Sequence, residues 1–241
     1  MNPREAITRQ VHALLERESR INLHRHPIDI SNANGVVVLQ GEVADVAAKK
    51  RALELAASVA GVDGIVDRLR VAPGERRGDG AVRDSLVRML LQQPELRNCT
   101  LRCMTNERSE THRSADSDGV GEVQVSVTDG VIVLEGHVIS QSHKRFVGVL
   151  AWWTPGRRDV VNSLEVEPAC EDRDDEVAEV LGLVFEADPL LHADRIRPRC
   201  EGKVVILDGS VRTEQEKQRA ELDAWSLFGV DRVINRLQVT D

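Results

Sequence analysis

The chain has 241 residues, 41% of them hydrophobic, and its 32 Lys and Arg against 40 Asp and Glu leave a net charge of −8, enough material for one to three folded domains. The negative balance, the absence of Tyr and the presence of only three Phe and three Trp argue against a general nucleic-acid binder, which needs clustered cations and rings on which bases stack. The four cysteines follow no regular framework and read as reduced thiols, while the N-terminus carries Arg4, Glu5 and Arg9 and no apolar core of signal-peptide or transmembrane length, so the expectation is a cytoplasmic protein, or a periplasmic one if a leader was removed.

In chain order, residues 4–18 place Ile7, Val11, Leu14 and Leu15 at helical spacing and predict an amphipathic helix. Ile28 and Ile30 alternate with polar residues before Asn34-Gly35, a strong hairpin signal, so a first strand turns back into VVVLQGEV at Val36–Val43. Asp45 suits the N-cap of a second helix over about 46–59, with Ala48, Ala52, Ala56 and Val59 along one face and Gly61 as its C-terminal cap. The next strand, 65–71, must run parallel to the second, because a strand–helix–strand crossover returns the chain in the same direction. The unit reads α-β-β-α-β.

After a linker rich in Pro, Gly and charge at 72–79, the pattern starts again. A helix over 80–93 carries Val82, Leu86, Met89 and Leu90. The polar stretch 105–119 has no periodicity and reads as an inserted mobile loop. Val123, Val125 and Val127 alternate before Asp129-Gly130, VIVLEGHV follows at Val131–Val138, and the next helix ends in Trp152-Trp153. A third round places Val177, Val180, Leu181 and Val184 on a helix over 174–187. A strand follows whose Pro198 belongs on a sheet edge, then VVILDGSV at Val204–Val211 and a helix with Ala220, Ala224 and Trp225.

The repeat is metric as well as compositional. Gly41 to Gly61, Gly136 to Gly156 and Gly209 to Gly229 are each twenty residues apart, and the segments after them, IVDRLRV, VVNSLEV and VINRLQV, keep one register. Asp45, Ser140 and Thr213 fall at equivalent N-cap positions, and Thr213 with Glu216 forms a capping box. The reading is an α+β protein of three tandem units, 1–72, 80–167 and 174–241, each a three-stranded mixed sheet with two helices. At about 70 residues a unit is only marginally stable alone, so neighbours or partners are expected to cover it.

These residues resemble the BON domain. The stretch 35–71 carries Gly41, Ala52, Gly61-Val62, Val66, Leu69 and Val71 at family positions, and 203–239 carries Gly209, Ala220, Gly229-Val230, Asn235, Leu237 and Val239. The middle unit is more divergent: Val147 replaces the helix Ala and Arg157 the Val after Gly156, while Asn162 and Leu164 remain. The resemblance implies a non-enzymatic module linked to osmotic or envelope stress and to phospholipid surfaces.

Candidate contact residues follow from charge and rings. Lys49, Lys144 and Lys217 stand at one repeat position early in the second helix, where a positive charge opposes the helix dipole. They meet either an anionic headgroup or water, with the stem packed down. The second reading is the simpler. Trp152 and Trp153, close in sequence to Lys144, Arg145, Arg157 and Arg158, form the main membrane-contact candidate. Trp152, aligned with Trp225, also fits a core position, and Trp153 a position between units. Cys99 and Cys103 with His112 or Cys170 make a weak case for metal, and residues 61–64 read G-x-x-G but are most simply a turn.

No histidine recurs beside a recurrent nucleophile, so neither an enzyme, a metal nor a cofactor is expected. The functional expectation is a binding protein for phospholipid or envelope surfaces under stress; the alternative is a self-assembling scaffold or an ion or small-ligand sensor. Strands such as Val36–Val43 are apolar on both faces near their start, which favours packing between units or subunits, and a homo-oligomer is one outcome.

Overall fold

The computed structural model describes residues 3–105, 108–116, 121–169 and 173–240. The first repeat consists of α1 (Pro3–Arg17), β1 (Ile28–Ala33), β2 (Val36–Val43), α2 (Val46–Ala57) and β3 (Gly64–Val71). Its sheet has the order β1-β2-β3, with β1 antiparallel and β3 parallel to β2. Val37, Leu39, Val43, Leu69 and Val71 are buried beneath the helices with Val11, Leu15, Ala52 and Ala56. The architecture is α+β, repeated three times.

The second repeat contains α3 (Asp79–Gln92), β4 (Thr100–Thr105), β5 (Arg108–Arg113), β6 (Glu122–Thr128), β7 (Val131–Val138), α4 (Gln141–Trp153), β8 (Asp159–Asn162) and β9 (Glu165–Val166). The third contains α5 (Asp174–Ala187), β10 (Ile196–Glu201), β11 (Val204–Val211), α6 (Glu214–Ser226), β12 (Arg232–Asn235) and β13 (Gln238–Val239). Pro198 lies in β10, at the edge of its sheet, where a missing N–H costs no ladder bond.

Repeat geometry follows from local chemistry. Each hairpin turns on two residues with positive φ, Asn34-Gly35, Asp129-Gly130 and Gly202-Lys203, as a type I′ turn requires. The three N-caps accept from Ala48 N (2.8 Å, Asp45), His143 N (3.2 Å, Ser140) and Glu216 N (3.1 Å, Thr213). Gly41, Gly136 and Gly209 share a reason: a Cβ there would stand 2.4, 2.2 and 2.1 Å from the backbone carbonyls of Pro27, Glu122 and Arg195. The helices stop earlier than the spacing suggests: α2 ends at Ala57, so Gly61 lies in the following turn at φ 88° rather than at the cap.

Two features depart from the sequence reading. The stretch expected as a loop over 105–119 includes β5, which pairs antiparallel with β4, and β4 pairs parallel with β6. The second repeat therefore has a six-stranded sheet rather than three strands, with path β5-β4-β6-β7-β8 and β9 beside β7. β4 buries Leu101 and Cys103, and the polar β5 occupies the new edge, which is how exposed strand edges are kept from further pairing. The third strand, continuous in the first repeat, is split into β8 and β9 and into β12 and β13 in the others. By its internal contacts the chain divides into two compact units, 1–72 and 73–241, the second holding two of the three repeats.

One side-chain latch ties the third strand to the second helix in every repeat. Asn162 Nδ2 donates to the Lys144 carbonyl at 2.8 Å and Asn235 Nδ2 to the Lys217 carbonyl at 3.0 Å, while their Oδ1 atoms accept from Leu164 N and Leu237 N. Asp67 occupies this place in the first repeat and accepts from Leu69 N at 2.9 Å, but a carboxylate cannot donate. Lys49 Nζ supplies the missing donor, 3.0 Å from Asp67 Oδ2 and 3.0 Å from the Leu69 carbonyl. Lys49→Met is expected to lower the stability of unit 1–72 by about 1.5–3 kcal/mol, the usual range for hydrogen bonds to a charged group. Amide hydrogen exchange on α2 and β3, compared with α6, checks it.

Candidate functional site

In unit 73–241 the second and third repeats meet helix to helix. α4 packs on its own sheet, on α3, and on α5 and α6. Every residue from Arg145 to Ala151 is buried, whereas a helix resting on one sheet needs only one apolar stripe.

The aromatic and basic residues singled out in the sequence gather at or near this seam. Trp153 is half-buried and donates its indole N–H to Asp223 Oδ1 at 2.7 Å. The Arg219 guanidinium stands over its ring at 5.6 Å. Trp152 is half-buried under Arg157 at 5.9 Å, whereas Trp225 at the same repeat position is buried. Arg145 is 1% exposed and donates from Nε to the Phe228 carbonyl at 3.2 Å. Lys144 Nζ lies over the Phe228 ring at 5.2 Å, and that ring is 53% exposed. Arg158 and Lys217 are half-buried. Lys49, in the other unit, is buried in its latch.

Sequence spacing gave no hint of Asp188, Arg219 and Asp223, and it marked Glu216 only as a capping-box partner. Asp188 and Asp223 are buried carboxyl groups flanking Arg219, whose Nε lies 2.5 Å from Asp188 Oδ2 and 3.5 Å from Asp223 Oδ1. Burial pushes the Asp223 carboxyl up to about 8, with Arg219 opposing and Asp188 reinforcing the rise. Glu216, also buried, accepts from Arg212 N, His192 N and His192 Nδ1, each at 2.8 Å. Burial would raise its carboxyl, but these donors hold it below the usual range. Comparing the repeats with each other would have flagged Asp223, because the equivalent positions are Leu55 and Leu150.

A cavity of about 300 Å³ opens beside the same seam, lined by Glu95, Ser142, His143, Phe146 and Leu183. His143 Nδ1 lies 2.7 Å from the Ser140 hydroxyl, and its Nε2 lies 3.2 Å from the Glu95 carbonyl. Ser140 also caps α4, so this pair fixes a helix start. Cys99 and Cys103 are buried; burial raises both thiols, that of Cys103 to about 11, which keeps them protonated near neutrality. His112 is exposed on β5, and Cys170 falls outside the described residues. Among the described residues no group of three or more His, Cys, Asp or Glu is placed to hold a metal ion. The G-x-x-G of residues 61–64 is a turn whose Asp63 N donates to the Gly35 carbonyl at 2.8 Å, as Arg158 N does to Gly130 and Asp231 N to Lys203.

Comparison with known families decides the assignment. The family model described as "BON domain" matches residues 3–73, 109–168 and 173–241. The chain belongs to the BON-domain family. The middle match begins inside β5, so α3 and β4 of this BON protein lie outside it. No curated protein matches the chain. Among solved structures it is similar to the C-terminal domain of CdsD, titled the structural protein of the type III secretion system of Chlamydia trachomatis, at 11% identity over 100% of both chains with a TM-score of 0.26. A second CdsD structure from the same organism matches at 11% identity over 98% of this chain and 92% of that one, with a TM-score of 0.25. No helix among the described residues is long and apolar enough to cross a membrane.

Removing the indole N–H while keeping a ring isolates the contact between BON repeats. Trp153→Phe is expected to destabilise unit 73–241 by about 1–3 kcal/mol, because Asp223 loses a buried donor. Faster amide exchange in α4 and α6, with α2 unchanged, is the readout.

Proposed function

We propose that this three-BON protein is a non-catalytic binding protein that associates with phospholipid or envelope surfaces in a stress setting. The observation that carries the reading is the Lys144–Phe228 pair, an exposed ring at the end of α6 with a cation over it. An aromatic ring beside a basic side chain suits the boundary between headgroups and acyl chains. Arg157 over the half-buried Trp152 is a second pair of the same kind. Trp153, Arg145 and Lys49 are engaged in internal contacts, so the reading rests on the Lys144–Phe228 and Arg157–Trp152 pairs. Membership of the BON family supports the same reading.

A specific observation favours a second reading, self-assembly. Two repeats turn a cross-strand apolar pair to the sheet face away from the helices, Val38 with Val66 and Val133 with Val161, whereas Ile206 at the same place in the third repeat is buried. Val66 and Val161 are exposed. Such faces suit sheet-on-sheet packing.

Flotation of the full chain with neutral and anionic liposomes, run beside light scattering, separates the two. Binding to anionic vesicles that weakens with salt, and that falls about tenfold in Phe228→Ala with Lys144→Ala, is the outcome expected of surface association. Absence of vesicle binding, with a defined oligomer that Val161→Glu dissociates, overturns it in favour of assembly.

A further inference from the structure

Asp223 and Asp188 place two carboxyl groups in the seam between the second and third repeats, and one guanidinium serves both. Their side chains are 2% and 1% exposed. Asp188 accepts from Arg219 Nε and from Leu190 N at 2.9 Å. Asp223 Oδ1 accepts from Trp153 Nε1, while its buried Oδ2 has no hydrogen-bond partner. Two ionised acids would leave an excess negative charge out of reach of water. The ordinary resolution of that cost is to retain a proton.

The fold does not demand this arrangement. The positions of Asp188, Arg219 and Asp223 are taken by Glu18, Arg51 and Leu55 in the first repeat and by Gln93, Phe146 and Leu150 in the second. In the first repeat Arg51 pairs with Glu18 at 2.7 Å and with Glu54 at 2.6 Å, and Glu54 is exposed to water. Only in the third repeat is the second acid turned inward, and there it meets α4 of the neighbouring repeat through Trp153.

We propose that the seam is a proton-gated clamp, in which a proton held on the Asp223 carboxyl keeps α6 locked to Trp153 of α4 and its loss loosens the two repeats. α4 presents the Trp153 indole, and its Arg145 is bonded to the Phe228 carbonyl. The end of α5 presents Asp188, and α6 itself presents Arg219. Glu216, further along α6, is occupied by Arg212 N and His192.

The upward displacement of the Asp223 carboxyl to about 8 agrees with this geometry. A folded-state value above the unfolded 3.8 means that the contribution is complete below about pH 4 and is lost as pH rises through about 8. The clamp therefore opens on the alkaline side.

The indole N–H resonances of the full chain, followed by ¹H–¹⁵N spectroscopy from about pH 5 to about pH 9.5, test this. Trp153→Phe identifies the relevant signal. That signal is expected to titrate with a midpoint near 8 and to lose about tenfold in protection from solvent exchange across the transition. Asp223→Asn keeps an acceptor for the indole and cannot ionise, so it is expected to abolish the titration. A flat Trp153 signal in the natural protein, or an identical titration in Asp223→Asn, overturns the clamp. Should that variant fail to fold, the ¹³C carboxyl signal of Asp223 in the natural chain decides: a midpoint near 8 supports the clamp, and one below about 5 overturns it.

Discussion

The burial of α4 on all sides is the constraint from which the arrangement of unit 73–241 follows. A helix of a small α/β unit normally rests on its own sheet and shows water its other face. In α4 the positions that would face water carry Phe146, Val149 and Trp152, and those of α2 carry Arg51, Glu54 and Ala57. The first set needs a second apolar layer, and α5 and α6 supply it. The second set is served by water and by the Arg51 ion pairs, so 1–72 closes as its own unit. Three copies of one fold thus give two compact bodies, decided by three side chains per helix.

Much of the repeat was legible because its determinants are local. Paired turn residues, N-cap side chains and alternating valines each dictate a backbone state over a few residues, and they recur in one register. The strand glycines were legible as a pattern but not as a cause, because the carbonyls they admit, at Pro27, Glu122 and Arg195, come from the neighbouring strand. β5 was illegible for a different reason. An edge strand exposed along both faces, with the sequence RSETHR, has no period to detect and exists because β4 offers it a ladder. β4 itself alternates Leu101 and Cys103 inward, a signal too short to read without its partners.

The candidate contact residues show the limit of reading charge from sequence. Lys49, Lys144 and Lys217 share a position, yet the first is buried against Asp67, the second lies over Phe228 and the third is half-buried. What separates them is the partner across the fold: Asp67 where the other repeats have Asn162 and Asn235, and Phe228 from a different repeat. A lysine's environment depends on groups distant in sequence, so equivalent positions need not share a role. The same holds for the rings. Trp152 and Trp225 align, but only Trp225 is enclosed, because the end of α4 is met by Arg157 instead of by core.

The acid–arginine contact between the two helices of a repeat gives the clearest case of divergence with consequences. The first repeat keeps it near water as Glu18–Arg51, and the third keeps it as Asp188–Arg219 under the cover of α4. The second has exchanged it for Gln93 and Phe146, which removes a charge pair and leaves an apolar wall beside Leu183 of α5. That exchange is what allows two repeats to close on each other. Closure in turn withdraws the Asp188 and Asp223 carboxyls from water while Arg219 stays part-exposed, and for dehydrated acids the balance of charges has to be met by protons or by partners. Asp223, in a place that the other repeats fill with leucine, makes the seam's stability depend on a proton instead of on apolar contact alone.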